Sequence, residues 1–227
     1  ALQIRNDDYG LYNNLGVCYA VQKSYRKSIK YLSTAYSLKK DARDVLHNLS
    51  QAYQEVGAHE KVISILDSFL KFHPEESDLR NVIAWSYLKL SEAKKGLQEL
   101  ERGLKNVSAD DHATRAAFYN NIGVAYQELG DMNRAEQSFL TSLQIHGEGH
   151  LVTFCNLVHM YFKLRMFDKA KTILNQGLSV HEDHPLLISF LGDYHAQKHE
   201  YSKAEAAYEK ALRLDPKLIG TSVAWST

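Results

Sequence analysis

The sequence is poor in proline, in cysteine and in net charge. Three Pro occur among 227 residues, against about 11 at average usage. That scarcity excludes a sandwich or barrel built on many tight turns, and it predicts long uninterrupted helices. Two cysteines, Cys18 and Cys155, are too few for a disulfide framework and are expected as small unbonded thiols. Lys and Arg number 27 and Asp and Glu number 27, so the formal net charge is zero. A nucleic-acid binder held by counterion release needs a basic surplus, and none exists here. No run of about 18 apolar residues is present, so no membrane span is expected. Phosphate loops, G-x-G-x-x-G, G-x-S-x-G and paired Cys-x-x-Cys are also missing, so the reading is of a non-enzyme without cofactor or metal.

What the chain does contain is a repeat. Tyr12-Asn13-Asn14-Leu15-Gly16-Val17-Cys18-Tyr19 and Tyr119-Asn120-Asn121-Ile122-Gly123-Val124-Ala125-Tyr126 nearly coincide. Extending outward gives six copies of about 34 residues, starting near Tyr9, Arg43, Ser77, Ala116, Leu151 and Pro185. Counted from each start, position 7 is Leu15, Leu49, Ile83, Ile122, Leu157 and Leu191. Position 11 is Tyr19, Tyr53, Tyr87, Tyr126, Tyr161 and then His195. Position 8 is small in five copies (Gly16, Ser50, Ala84, Gly123, Gly192), and position 20 is small in five (Ser28, Gly96, Ala135, Ala170, Ala204). Position 24 is bulky: Leu32, Leu66, Leu100, Phe139, Leu174 and Tyr208.

Positions 4, 7, 8 and 11 share one helical face, and the small residues let two helices approach closely. Gly57 and the Gly130-Asp131 pair mark turns between the two helices of a copy. A single hairpin cannot bury its apolar face, so neighbours must stack. Arg80 stands at the usually apolar fourth position of the third copy. Five extra residues, Asp111 to Arg115, are expected to lengthen the fourth copy's first helix or to form a loop.

The pattern of Leu, Gly/Ala, Tyr, Ala and Pro, with Pro74 and Pro216 closing two copies, resembles the tetratricopeptide repeat (TPR) family over Tyr9 to Leu218. The resemblance implies an all-α fold: an α-solenoid of six TPR helix-turn-helix hairpins in a right-handed superhelix. The expected organisation is one array over 1–227, with repeats at about 9–42, 43–76, 77–110, 116–149, 151–184 and 185–218. Residues 219–227 would then be a partial capping segment. The family implies protein binding in a concave groove lined by the first helices.

That face falls at positions 5, 6, 9 and 12, opposite the core face. Of its 24 residues only Asp193 carries a formal charge, whereas the chain average of 24% predicts about six. Seven of the chain's eleven Asn lie on it, although Asn is a poor interior helix residue. A primary amide can pair with both the C=O and the N–H of an extended backbone. The candidate groove residues are Asn13, Asn14, Asn48, Gln51, Asn81, Trp85, Asn120, Asn121, Gln127, Asn156, His159, Phe162 and Phe190, with the three aromatic rings Trp85, Phe162 and Phe190 as apolar anchors. Asn14, Asn48, Asn121 and Asn156 at position 6 resemble the asparagine ladder in the TPR superhelix of O-GlcNAc transferases, broken at Val82 and Phe190. The alternative is that these amides bond to neighbouring helices and stiffen the stack.

The residues that TPR receptors use to grip an acidic C-terminal tail are replaced by Asn13, Val17, Asp78 and Val82, so an EEVD-type tail is not expected. Histidine pairs His146/His150, His181/His184 and His195/His199 read as loop or surface residues. Lys23, Arg26, Lys27 and Lys30 read as a solvated basic face. Function is therefore expected to be a protein–protein scaffold taking an extended peptide. The alternatives are a recognition arm of a larger enzyme such as a glycosyltransferase, and a self-assembling scaffold. Leu218, Ile219, Val223 and Trp225 suggest a possible homo-oligomer through the C-terminal end.

Overall fold

Residues 8–145 and 151–218 are described by a computed structural model; His146, His150 and the segment 219–227 lie outside them. Twelve α-helices and no strand occur among the described residues. They form six hairpins: α1 (Tyr9–Val21) with α2 (Tyr25–Leu38), α3 (Arg43–Glu55) with α4 (His59–Phe72), and α5 (Ser77–Lys89) with α6 (Ala93–Leu104). Then come α7 (His112–Glu128) with α8 (Met132–Ile145), α9 (Leu151–Lys163) with α10 (Phe167–Val180), and α11 (Pro185–Gln197) with α12 (Tyr201–Leu214). By contact density the chain divides into two compact units, Ala1–Ser108 with Ala125–Asp131, and Ala109–Val124 with Met132–Thr227.

Five first helices have 13 residues and begin at the copy starts; α7 begins earlier and has 17. The extra residues therefore lengthen the helix. Asp111, just before it, accepts the Thr114 N–H at 3.0 Å. This bond satisfies an amide that the first turn leaves without a partner, and it holds the Asp111 carboxyl below its usual range.

Every hairpin turns at position 15 through a residue in the left-handed region. Gly57 (φ 72°) and Gly130 (φ 80°) do so without a Cβ. Lys23, Ser91, Arg165 and His199 adopt the same region at φ 57–60°. The turn is thus common to all six copies, although glycine marks it in only two.

Inside a hairpin, position 8 meets position 24. A Cβ on Gly123 would sit 2.6 Å from the Phe139 ring, and one on Gly192 would sit 2.6 Å from the Tyr208 ring. Gly16 faces Leu32 in the same way. A Cβ on Gly96, at position 20, would sit 3.0 Å from the Ala84 carbonyl oxygen, so the glycine keeps the two helices close. Between hairpins of the first unit, Leu49 packs with Leu32, and Val45 with Ala35 and Ala42. Leu79 and Ile83 join Leu66 and Phe69. The same positions on α1 are open: Leu11 and Leu15 are 51% and 45% exposed, where Leu49 is 1% exposed.

Arg80 is buried despite its charge. It pairs with Glu99 and donates from Nε to the Pro74 carbonyl at 3.0 Å. Glu99 also holds Arg102 at 2.6 Å. The third copy thus replaces an apolar fourth position by a fully partnered ion pair, which is the condition for burying a charge.

Candidate functional site

The first helices carry the candidate residues, and their amides separate into two groups. Asn13 is 7% exposed and Asn120 is 4% exposed. Both stand at position 5, and both accept a bond from the asparagine at position 6 of the next hairpin. Asn48 Nδ2 donates to Asn13 Oδ1 at 3.0 Å, and Asn156 Nδ2 donates to Asn120 Oδ1 at 2.9 Å. These four amides brace adjacent hairpins, because side chains at positions 5 and 6 tilt into the seam between first helices.

The surroundings of the two pairs differ. Asn13 Nδ2 donates to Asp44 Oδ2 at 3.3 Å. Asn120 Nδ2 donates to Asn121 Oδ1 at 3.1 Å. Its Oδ1 takes a second donor, the Thr153 hydroxyl, at 3.1 Å. Thr153 lies 3.0 Å from Ser142 Oγ, which reaches the Ala116 carbonyl at 2.7 Å. At the second junction His47 replaces the asparagine and Val82 its partner. His47 Nδ1 stands 3.7 Å from Asp78 Oδ2, too long for a hydrogen bond.

Other candidates remain open to solvent. Asn14 and Gln51 are exposed, while Asn81, Trp85, Asn121, Gln127, His159, Phe162 and Phe190 are half-buried. Lys89 Nζ sits 4.5 Å above the Trp85 ring. Phe162 and Phe190 are brought together, stacked with centroids 6.2 Å apart, and Phe167 flanks Phe162 at 5.8 Å. Burial, with Lys163 nearby, pushes the His159 imidazole below its ordinary range. Burial pushes the Cys155 thiol up to about 12, which leaves it a poor nucleophile at neutral pH. Cys18 and Cys155 are both free.

Three contributions escaped the reading of the sequence. Gln54 Nε2 donates to the Val82 carbonyl at 2.9 Å and to Ser86 Oγ at 3.2 Å, tying α3 to α5. Asp193, noticed only as the lone charge of the face, accepts the Tyr208 hydroxyl at 2.7 Å. Asp44 and Asp78 occupy the same position of successive copies, and that 31-residue offset from Asn13 and His47 was the available signal. Of the remaining histidines, His195 Nδ1 lies 2.6 Å from Glu200 and His199 Nδ1 lies 3.0 Å from the Tyr201 hydroxyl. Among the described residues no group of three or more His, Cys, Asp or Glu could hold a metal ion, and no helix is long and apolar enough to cross a membrane.

Residues 116–145, 152–184 and 185–218 match the tetratricopeptide repeat description. The human SH3 domain and tetratricopeptide repeat-containing protein 2 is 31% identical over 159 residues, which is 66% of this chain and 11% of that protein. The chain therefore spans about a tenth of the length of this curated relative. Among solved structures, a tetratricopeptide repeat protein from Parabacteroides merdae superposes with a TM-score of 0.79 at 16% identity, over 99% of this chain and 86% of that one. A chain of the APC/C hetero-tetramer Cut9–Hcn1 superposes with a TM-score of 0.75 at 17% identity, over 99% of this chain and 43% of that one. These likenesses establish the fold, an α-solenoid of helical hairpins.

Proposed function

The chain carries tetratricopeptide repeats, and from that premise we propose that it is a non-catalytic scaffold holding an extended peptide segment of a partner against its first-helix face. Repeats of this family indicate protein–protein interaction. The observation that carries the finer reading is the depletion of charge on that face, with one carboxylate in 24 residues. A merely solvated helix face would carry several charges. Asn14 and Gln51 keep exposed amides there, and Phe162 and Phe190 supply an apolar seat. Asn13 and Asn120 are better read as the frame that holds these groups in place than as ligand contacts.

A pull-down with wild type and a Phe162→Ala/Gln51→Ala double variant tests the reading. Partners lost only in the variant would be groove ligands. Identical partner sets, with both proteins folded, would sink it. A module of a larger protein, as in the much longer human relative, is compatible with the same activity.

A further inference from the structure

The second unit places a carboxylate beside its aromatic seat. Phe190 and Asp193 are three residues apart on α11 and therefore share a face. Phe162 of α9 stacks on Phe190, which puts the ring pair one helical turn from Asp193 along α11. Asp193 is half-buried, and its Oδ1 is fixed by the Tyr208 hydroxyl from α12 at 2.7 Å. Among the described residues no lysine, arginine or histidine pairs with it.

Three lysines of the second unit are held elsewhere. Lys171 sits 5.3 Å above the Tyr194 ring, and Lys198 pairs with Asp168 at 3.1 Å. Lys169 pairs with Glu136 at 2.7 Å. His159, one turn before Phe162, is kept neutral by burial and by Lys163, so it adds no positive charge near neutral pH. Burial also raises the Asp193 carboxyl against the opposing pull of the Tyr208 bond, as befits a desolvated anion without a counter-charge. An incoming cation would relieve that cost, because charge-assisted bonds are strongest where water is scarce.

Resting on the groove reading above, we infer that the second unit selects a peptide carrying a large apolar side chain and, two residues later, an arginine or lysine, with Phe162 and Phe190 taking the first and Asp193 the second. The spacing fits. Side chains three apart on a helix stand about 5–6 Å from each other. In an extended peptide, residues i and i+2 point the same way about 6.5 Å apart.

Three fluorescent alanine-based peptides would be titrated against the full chain by anisotropy: one with Phe-Ala-Arg, one with Phe-Ala-Gln and one with Ala-Ala-Arg. The Phe-Ala-Arg peptide should bind about tenfold tighter than Phe-Ala-Gln. Asp193→Asn preserves the acceptor for Tyr208, so the fold should hold, as circular dichroism would verify. That variant should bring the ratio near one. Phe162→Ala should weaken both phenylalanine peptides alike. If Phe162→Ala weakens binding but the arginine preference is absent, or survives Asp193→Asn, the cation seat is overturned and the groove stands. If no peptide binds at all, the groove reading falls with it.

Discussion

The α1–α3 and α7–α9 seams use one device in two settings. In each, an asparagine at position 5 accepts a bond from the asparagine at position 6 of the following hairpin. Around Asn13 the remaining partner is Asp44, exposed at the rim. Around Asn120 the partners are Asn121 and the buried Thr153, and Thr153 lies against Ser142, whose hydroxyl donates to the Ala116 carbonyl. The exposed Asp44 of the first seam can exchange its bond for water; the buried Thr153 of the second cannot. The repeat therefore specifies the pair, and the flanking residues decide what the pair contributes.

The largest difference should appear on truncation. Asn120→Ala removes three hydrogen bonds from a seam closed by the buried Thr153, and is expected to cost about 2–4 kcal/mol in denaturant unfolding. Asn13→Ala removes two bonds, and the exposed Asp44 can turn to solvent. Its cost should be about 1 kcal/mol. Equal losses for the two variants would erase the distinction between the seams.

Salt offers a finer separation. The first unit's hairpins are also joined by Arg43, which pairs with Glu76 at 2.6 Å and with Asp78. These groups are half-exposed, so the pairing is worth about 0.5 kcal/mol and is screened by salt. Arg43→Gln should show that loss at low ionic strength and almost none in molar salt. The Asn120→Ala loss should be the same at both ionic strengths, since no formal charge takes part in its bonds.

The sequence made the fold legible because position 8 against position 24 is a steric statement. Gly16 with Leu32, Gly123 with Phe139 and Gly192 with Tyr208 are complementary in volume, and the structure packs each pair together. The turns were only partly legible. Position 15 is left-handed in all six copies, yet Lys23, Ser91, Arg165 and His199 carry no compositional mark of it. On the candidate site, a helical wheel treats positions 5, 6, 9 and 12 as one face. It does not see the neighbouring hairpin, which covers position 5 at Asn13 and Asn120, nor that Asn14 is left exposed. Burial of those amides is a property of stacking, so single-helix periodicity could not separate framing residues from open ones.

Asn14 gives the smallest expected effect on stability and the clearest division of roles. It occupies the position of Asn48 and Asn156, but no described hairpin offers it a fifth-position asparagine, and it is exposed. Removing an exposed side chain without a partner changes stability by less than about 0.5 kcal/mol. Asn14→Ala should therefore unfold with wild type, whereas Asn48→Ala should lose part of the first seam. If the first unit also takes an extended backbone, the same Asn14→Ala change should weaken a first-unit ligand by about 0.5–1.5 kcal/mol. An Asn14→Ala variant that loses stability but no binding would place this amide with the frame and leave Gln51 as the exposed amide of the first unit available to a ligand.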